Sequence, residues 1–194
     1  MELRIIDTGY GNRKSLETAL KQLEISFKWV TQMEINEEAA VCAYLLPGVG
    51  AAAQALKILG QLGWVTYLKQ TQKPIIGICL GFQLLFETVE EGQTQKGLGL
   101  LNGHVRLLPD KFKDQLRRRP HIGWNQALDQ DFYFAHSFAV LSSPDARATT
   151  DDFVSIAAKN NILGFQFHPE ISGPKGLQLL KETWQWCKSY RPSI

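Results

Sequence analysis

Apolar positions in the first ninety residues alternate between short continuous runs and helical spacing. Leu3–Ile6 reads as a strand, and Leu16, Ala19, Leu20 and Leu23 mark one face of a helix over Asn12–Glu24. Ser26–Val30 and Ala43–Leu46 read as the next two strands, the second ended by Pro47-Gly48. Ala51–Leu59 and Trp64–Gln70 have helical patterns, Pro74–Cys79 is a fourth strand, and Phe82–Glu87 opens a further helix. Strands and helices in this rhythm predict βαβ units, hence an α/β fold with a central, largely parallel sheet flanked by helices.

The second half has a different period. Gly97, Gly99 and Gly103 punctuate a loop into a strand over His104–Leu108, and Phe132–Leu141 is aromatic and β-rich. Val154–Ala158 and Ile162–His168 flank Lys159-Asn160-Asn161, a hairpin turn. Additional, mostly antiparallel strands therefore complete the fold. A last helix carries Leu177, Leu180, Trp184 and Cys187 on one face. No repeat, linker or low-complexity segment interrupts residues 1–194, so one domain is expected.

Composition narrows the function classes. The chain has 194 residues, enough for a sizeable core without cross-links, and is 44 % hydrophobic and 21 % charged, as globular proteins are. A net charge of +2 argues against nucleic-acid or membrane partners. Cys42, Cys79 and Cys187 are an odd, widely spaced set, which argues for a reducing, cytoplasmic setting rather than a disulfide framework. No Cys/His spacing suits a metal, and the charged MELRIID start does not read as a signal peptide. Ala39–Leu56 lacks charge, but Pro47, Gly48 and Gly50 break it into strand, turn and helix start.

Candidate chemistry lies in three places. Gly77-Ile78-Cys79-Leu80-Gly81, between strand and helix, has the spacing of a nucleophile elbow with cysteine in place of serine. Cys79 is then either a displayed nucleophile or a buried structural thiol. Leu80 would offer its N–H to an oxyanion. His168-Pro169-Glu170 ends an apolar strand, and residues i and i+2 of a strand share a face, so imidazole and carboxylate can meet. Thiol, imidazole and orienting carboxylate make an activated nucleophile. The third place is Pro47-Gly48-Val49-Gly50, whose backbone is either a second oxyanion donor or an ordinary turn.

GICLGFQLLFE and GFQFHPE, with LPGVGA, RPHIGWN, YFAHSF and IIDTGYGN, resemble the class I (triad) glutamine amidotransferases. Within that family they are most similar to glutaminase subunits of imidazole glycerol phosphate synthase, in histidine biosynthesis. The resemblance implies that Cys79 attacks the carboxamide of L-glutamine and forms a thioester, with His168 moving the proton and Glu170 orienting it. It assigns the oxyanion hole to Leu80, Gly48, Val49 and Gly50, and the glutamine contacts to Gln83, Ser137 and Phe138. Ammonia would pass to a (β/α)8-barrel cyclase in a heterodimer, making imidazole glycerol phosphate and AICAR, without a cofactor.

Asn12, His121, Trp124 and Asn125 would face that partner; for Asn12 a helix N-cap is the other reading. His136 would shape the glutamine pocket, while His104 and the basic stretch 111–119 read as solvated. Two positions depart from the pattern: Thr8 replaces an aromatic residue, and Ile171 replaces the partner-facing lysine after His-Pro-Glu. A related glutaminase serving another synthase, such as a sugar-modifying one, therefore stays open. Because glycine flanks Val49, its N–H can turn towards or away from the oxyanion, so the chain alone is expected to be a weak glutaminase that its partner activates.

Overall fold

A computed structural model of the chain describes residues 1–9, 12–32, 39–112, 115–116 and 118–192. The first half keeps the expected alternation. β1 (Glu2–Ile6), α1 (Arg13–Gln22), β2 (Phe27–Val30), β3 (Val41–Leu46), α2 (Ala52–Gln61), α3 (Trp64–Gln70), β4 (Ile75–Ile78) and α4 (Leu80–Leu84) follow in turn. The second half is β-rich: β5 (Thr88–Glu91), β6 (Gln93–Lys96), β7 (His104–Leu107), β8 (Lys111–Phe112), β9 (Gln115–Leu116), β10 (His121–Ala127), β11 (Gln130–His136), β12 (Phe138–Val140), β13 (Ala146–Thr150), β14 (Phe153–Lys159) and β15 (Ile162–Phe165) precede α5 (Gly173–Ser189).

Seven strands form the main sheet in the order β13-β14-β15-β4-β3-β1-β2. β15, β4, β3, β1 and β2 run parallel, while at one edge β14 pairs antiparallel with β15 and β13 antiparallel with β14. The central strands are apolar throughout because both faces are covered. On one face Ile75 and Leu46 join Leu59, Trp64 and Leu68 of α2 and α3. On the other, Ile76 and Leu45 join Leu16 and Leu20 of α1 and Cys187 of α5. The seam of α5 is Gly176, Leu180, Thr183 and Cys187, with Leu177 and Trp184 only half-buried beside it. No helix among the described residues is long and apolar enough to cross a membrane.

Several boundaries differ from expectation. The helix after Cys79 starts at Leu80 and ends at Leu84, not at Glu87. Its next carbonyls are taken by an incoming loop: Leu98 N–H donates to Leu84 (2.8 Å), Leu100 to Leu85 (2.8 Å) and Gly99 to Phe86 (2.9 Å). Thr88–Glu91 and Gln93–Lys96 then pair as an antiparallel hairpin that apolar periodicity does not reveal. The expected strand 132–141 breaks at Ser137, because β11 pairs with β10 whereas β12 pairs with β7 in a separate four-stranded sheet. The strand expected to reach His168 stops at Phe165. Gln166 N–H still bonds Ser155 (2.9 Å), but His168 N–H turns aside to the Tyr133 carbonyl of β11 (2.9 Å).

Candidate active site

β15, β4 and β3 are neighbours and parallel, so their carboxyl ends emerge side by side. β4 delivers Cys79, β3 delivers Pro47–Gly50, and β15 leads to His168. Cys79 has φ +49° and ψ −106°, a conformation that costs a non-glycine residue about 1–3 kcal/mol. It is held by its N–H to the Phe165 carbonyl (2.7 Å) and by its own carbonyl, which accepts from Gln83 N–H (3.0 Å). The flanking glycines are steric necessities. A Cβ at Gly77 would lie 2.7 Å from Phe82 Cα, and one at Gly81 only 2.0 Å from the Leu46 carbonyl oxygen.

His168 Nδ1 donates to Glu170 Oε1 at 2.8 Å, and both side chains are buried. Their meeting does not come from strand alternation. Pro169–Ile171 is a 3-10 turn, entered at a proline that has no N–H to lose, and the turn folds Glu170 back onto the ring. The Cys79 side chain also acts on the imidazole and shifts its titration. Burial pushes the His168 pKa down, but the hydrogen bonds with Cys79 and Glu170, and their charges, outweigh it and raise the pKa to about 10. The sulfur has two further neighbours: it donates to the Ala135 carbonyl (3.7 Å) and receives Nε2 of Gln166 (3.9 Å).

In front of Cys79 lies a cleft of about 250 Å³. This is below the ~300–1,000 Å³ typical of drug-sized ligands and suits something of amino-acid size. Gly48, Val49, Gly50, Leu80, Gln83, Glu91, His136, Ser137 and Phe138 are among its walls. Larger hollows lie elsewhere. One of about 440 Å³, lined by Cys42, Lys73, Cys187 and Arg191, does not reach Cys79, so size alone does not mark the site. Gly48 is pressed against the elbow, since a Cβ there would sit 1.9 Å from the Ile78 carbonyl oxygen and 2.4 Å from the Leu80 nitrogen.

Gln83 Nε2 donates to the Phe138 carbonyl (2.7 Å) and to Gln166 Oε1 (3.1 Å). The Phe138 carbonyl also accepts from His136 Nδ1 (2.9 Å), and the Ser137 carbonyl accepts from Leu108 N–H (2.9 Å). With two donors the Phe138 oxygen is saturated, so the amide of Gln83 and the carbonyl of Phe138 are committed to each other in this arrangement.

The four residues expected on a partner face separate. His121 turns inward: its ring packs on Phe134 and Phe153, and it donates from Nδ1 to His136 Nε2 (3.2 Å). That direction follows because His136 Nδ1 must donate to the carbonyl oxygen of Phe138, leaving Nε2 to accept. Asn125 also lies on the inner side and bonds Asp151 Oδ2 (3.1 Å). Trp124 and its neighbour Ile122 point outward, 58 % and 60 % exposed, with Trp124 edge-on to Tyr133. Asn12 is an N-cap, accepting from Ser15 N–H at 3.4 Å.

Ile171 is half-exposed beside Lys14 and Ser15 of α1, and Thr8 is buried. His104 bonds Thr88 Oγ1 (2.9 Å). In the basic stretch Arg119 binds Asp110 and the Leu108 carbonyl, while Lys113, Asp114 and Arg117 lie outside the described residues.

The sequence reading missed three contributors. Glu91 presents a carboxylate to the cleft wall and caps α2 through Ala52 N–H (2.6 Å). Ser172 clasps the His168 turn to β11, donating to the His168 carbonyl (2.6 Å) and accepting from Tyr133 N–H (2.9 Å). Gln166, wholly buried, touches the sulfur. Only Gln166 left a signal, as the lone polar residue in the apolar run Ile162–Phe167 apart from Gly164.

The family Glutamine amidotransferase class-I matches residues 4–186. The chain is 39 % identical over 202 residues to imidazole glycerol phosphate synthase subunit HisH of Exiguobacterium sibiricum, covering 99 % of this chain and 100 % of that one. It is 40 % identical over 204 residues to the subunit of the same name from Desulfitobacterium hafniense, covering 94 % and 93 %. A solved glutamine amidotransferase structure superposes with a TM-score of 0.71 at 17 % identity, over 95 % of this chain and 98 % of that one, which supports the fold. With a family match over nearly the whole chain and HisH relatives at this identity, the chain belongs to the class-I glutamine amidotransferases, on their HisH branch.

Proposed function

We propose that this glutamine amidotransferase works as the glutaminase subunit of an imidazole glycerol phosphate synthase, with Cys79, His168 and Glu170 as its catalytic triad. The observation that carries the reading is the buried line of thiol, imidazole and carboxylate opening on an amino-acid-sized cleft. The carboxamide carbon of glutamine takes the Cys79 sulfur. The tetrahedral oxyanion is met by Leu80 N–H and by the Gly48–Val49–Gly50 backbone. His168 gives its proton to the departing nitrogen, and ammonia leaves a glutamyl thioester. His168 then takes a proton from water as the water attacks the thioester, and glutamate is released.

The substrate's other end meets Gln83, Ser137 and Phe138. Because the NH2 of Gln83 is held by Phe138 and Gln166, Gln83 engages glutamine through its Oε1 acceptor. Glu91 supplies a negative charge for the α-ammonium. The ammonia acceptor is a (β/α)8-barrel cyclase docked on the outer face of the β10–β11 hairpin, where Ile122 and Trp124 are exposed.

The test is glutamine turnover by the chain alone, with the cyclase, and with cyclase plus its nucleotide substrate. Turnover should rise across the three, by about 10²–10³ overall if the last step brings one oxyanion donor into place. Equal turnover in all three, with no complex by gel filtration, would assign the chain to another synthase. Ile171, apolar beside Lys14 and Ser15 where the family resemblance leads one to expect lysine, is the feature that would favour that outcome.

A further inference from the structure

We propose that Gln166 is a positioning residue for the nucleophile: its side-chain amide is held by Gln83 so that Nε2–H points at the Cys79 sulfur and steadies it as a thiolate. The inference rests on the reading of Cys79 as nucleophile. The direction of the amide follows from counting donors. The Phe138 carbonyl oxygen can only accept, so the group facing it at 2.7 Å is the NH2 of Gln83. The second hydrogen of that NH2 goes to Gln166, 3.1 Å away, which must therefore present Oε1. Its Nε2 is then left facing Sγ at 3.9 Å.

Nothing in the surroundings lets this amide turn over. Gln166 is fully buried, and its backbone N–H is pinned to Ser155. Rotating it would set two NH2 groups against each other. A neutral thiol can spend its proton on the Ala135 carbonyl 3.7 Å away, but a thiolate finds that oxygen repulsive. The donors of His168 and Gln166 are what the thiolate keeps. A hydrogen bond to a charged group strengthens as the charge appears, so the long contact in the thiol form shortens when Cys79 ionises.

The experiment follows the rate of alkylation by iodoacetamide against pH, read at Cys79 by mass spectrometry, together with kcat and KM for glutamine. Gln166→Met keeps the volume and removes the donor. Its Cys79 alkylation profile should move to higher pH by about one unit, and kcat at neutral pH should fall about tenfold, which corresponds to loss of one charge-assisted hydrogen bond. KM should change less than kcat. A structural filler would leave the pH profile where it is, and an unmoved profile in folded Gln166→Met overturns the inference. So would a loss confined to KM, which would make Gln166 a support for Gln83 alone. If the methionine variant does not fold, Gln166→Asn keeps the amide but withdraws it, and the same shift, smaller, is expected. Failure of the underlying reading looks different: full glutaminase activity in Cys79→Ala.

Discussion

Gly48→Ala tests the oxyanion assignment more sharply than removal of a side chain could. The new Cβ would lie 1.9 Å from the Ile78 carbonyl oxygen and 2.4 Å from the Leu80 nitrogen, whereas real Cβ atoms essentially never approach within 3.0 Å. Both neighbours are backbone of the elbow itself, so the turn after β3 must retreat by about 1 Å or more. If the proposed oxyanion hole is right, the retreat takes the Val49 N–H away from the oxyanion, and the methyl group covers the Leu80 N–H. Losing one such donor costs about 2.7–4 kcal/mol, a fall of roughly 10²–10³ in kcat. Overpacking should also lower stability by about 1–3 kcal/mol.

The assay is kcat and KM for glutamine on protein shown by urea titration to be folded, in complex with the cyclase, with Cys79 alkylation as a control. Alkylation needs no oxyanion and should survive. A folded Gly48→Ala enzyme with kcat within threefold of wild type would refute the placement of the oxyanion at this turn.

Other expectations are open to direct measurement. A glutamine-derived electrophile should label Cys79 and leave the buried Cys42 and Cys187 unmodified; an adduct on either of those instead would contradict the triad. Histidine NMR should find His168 protonated through neutral pH, with its midpoint lowered in Cys79→Ser, which removes the largest cause of the upward shift. The sign for stability follows. Because the folded pKa is raised from 6.5 to about 10, the contribution of His168 is fully present below pH 6.5 and fades as pH climbs towards 10. Denaturant titrations of wild type and His168→Ala should therefore converge over that window, and a gap that widens would reverse the argument. Trp124→Glu should leave folding and the chain's own turnover within error, because the ring is 58 % exposed, yet weaken cyclase binding by about 2 kcal/mol, roughly thirtyfold in Kd. An unchanged Kd would move the docking face elsewhere.

What could be read from the chain, and what could not, divides along the line between local and non-local causes. The elbow was legible because steric demand at Gly77 and Gly81 is written in adjacent residues. The parallel half was legible because both faces of β3 and β4 are covered, which leaves continuous apolar runs. The hairpin Thr88–Lys96 was not, since a mostly solvated strand pair has no apolar period to detect. The end of α4 was hidden too, because its carbonyls are claimed by a loop more than ten residues downstream. His121 was put at the partner face by the family resemblance alone, with no strand read there; the strand His121–Ala127 sets Ile122 and Trp124 outside and His121 against Phe134. The pairing of His168 with Glu170 was expected for an inexact reason, a strand face, when a 3-10 turn accomplishes it.

The clasp between β11 and the His168 turn bears on how this enzyme would fail. β10 and β11 form no ladder with the seven-stranded sheet. They are fastened by side chains such as Thr150 on the Gln126 carbonyl (2.7 Å), and by the Tyr133 carbonyl on His168 N–H together with Ser172. A fluctuation that lifts the hairpin thus releases the imidazole's backbone, withdraws Ala135 from the sulfur and pulls Phe132 and Phe134 off Phe167, while the ladders of the seven-stranded sheet stay paired. Such local openings need less free energy than global unfolding. On warming, the upper limit of useful temperature is then set by the grip of two strands rather than by the melting of the sheet, and a molecule whose main sheet is still paired can already be idle.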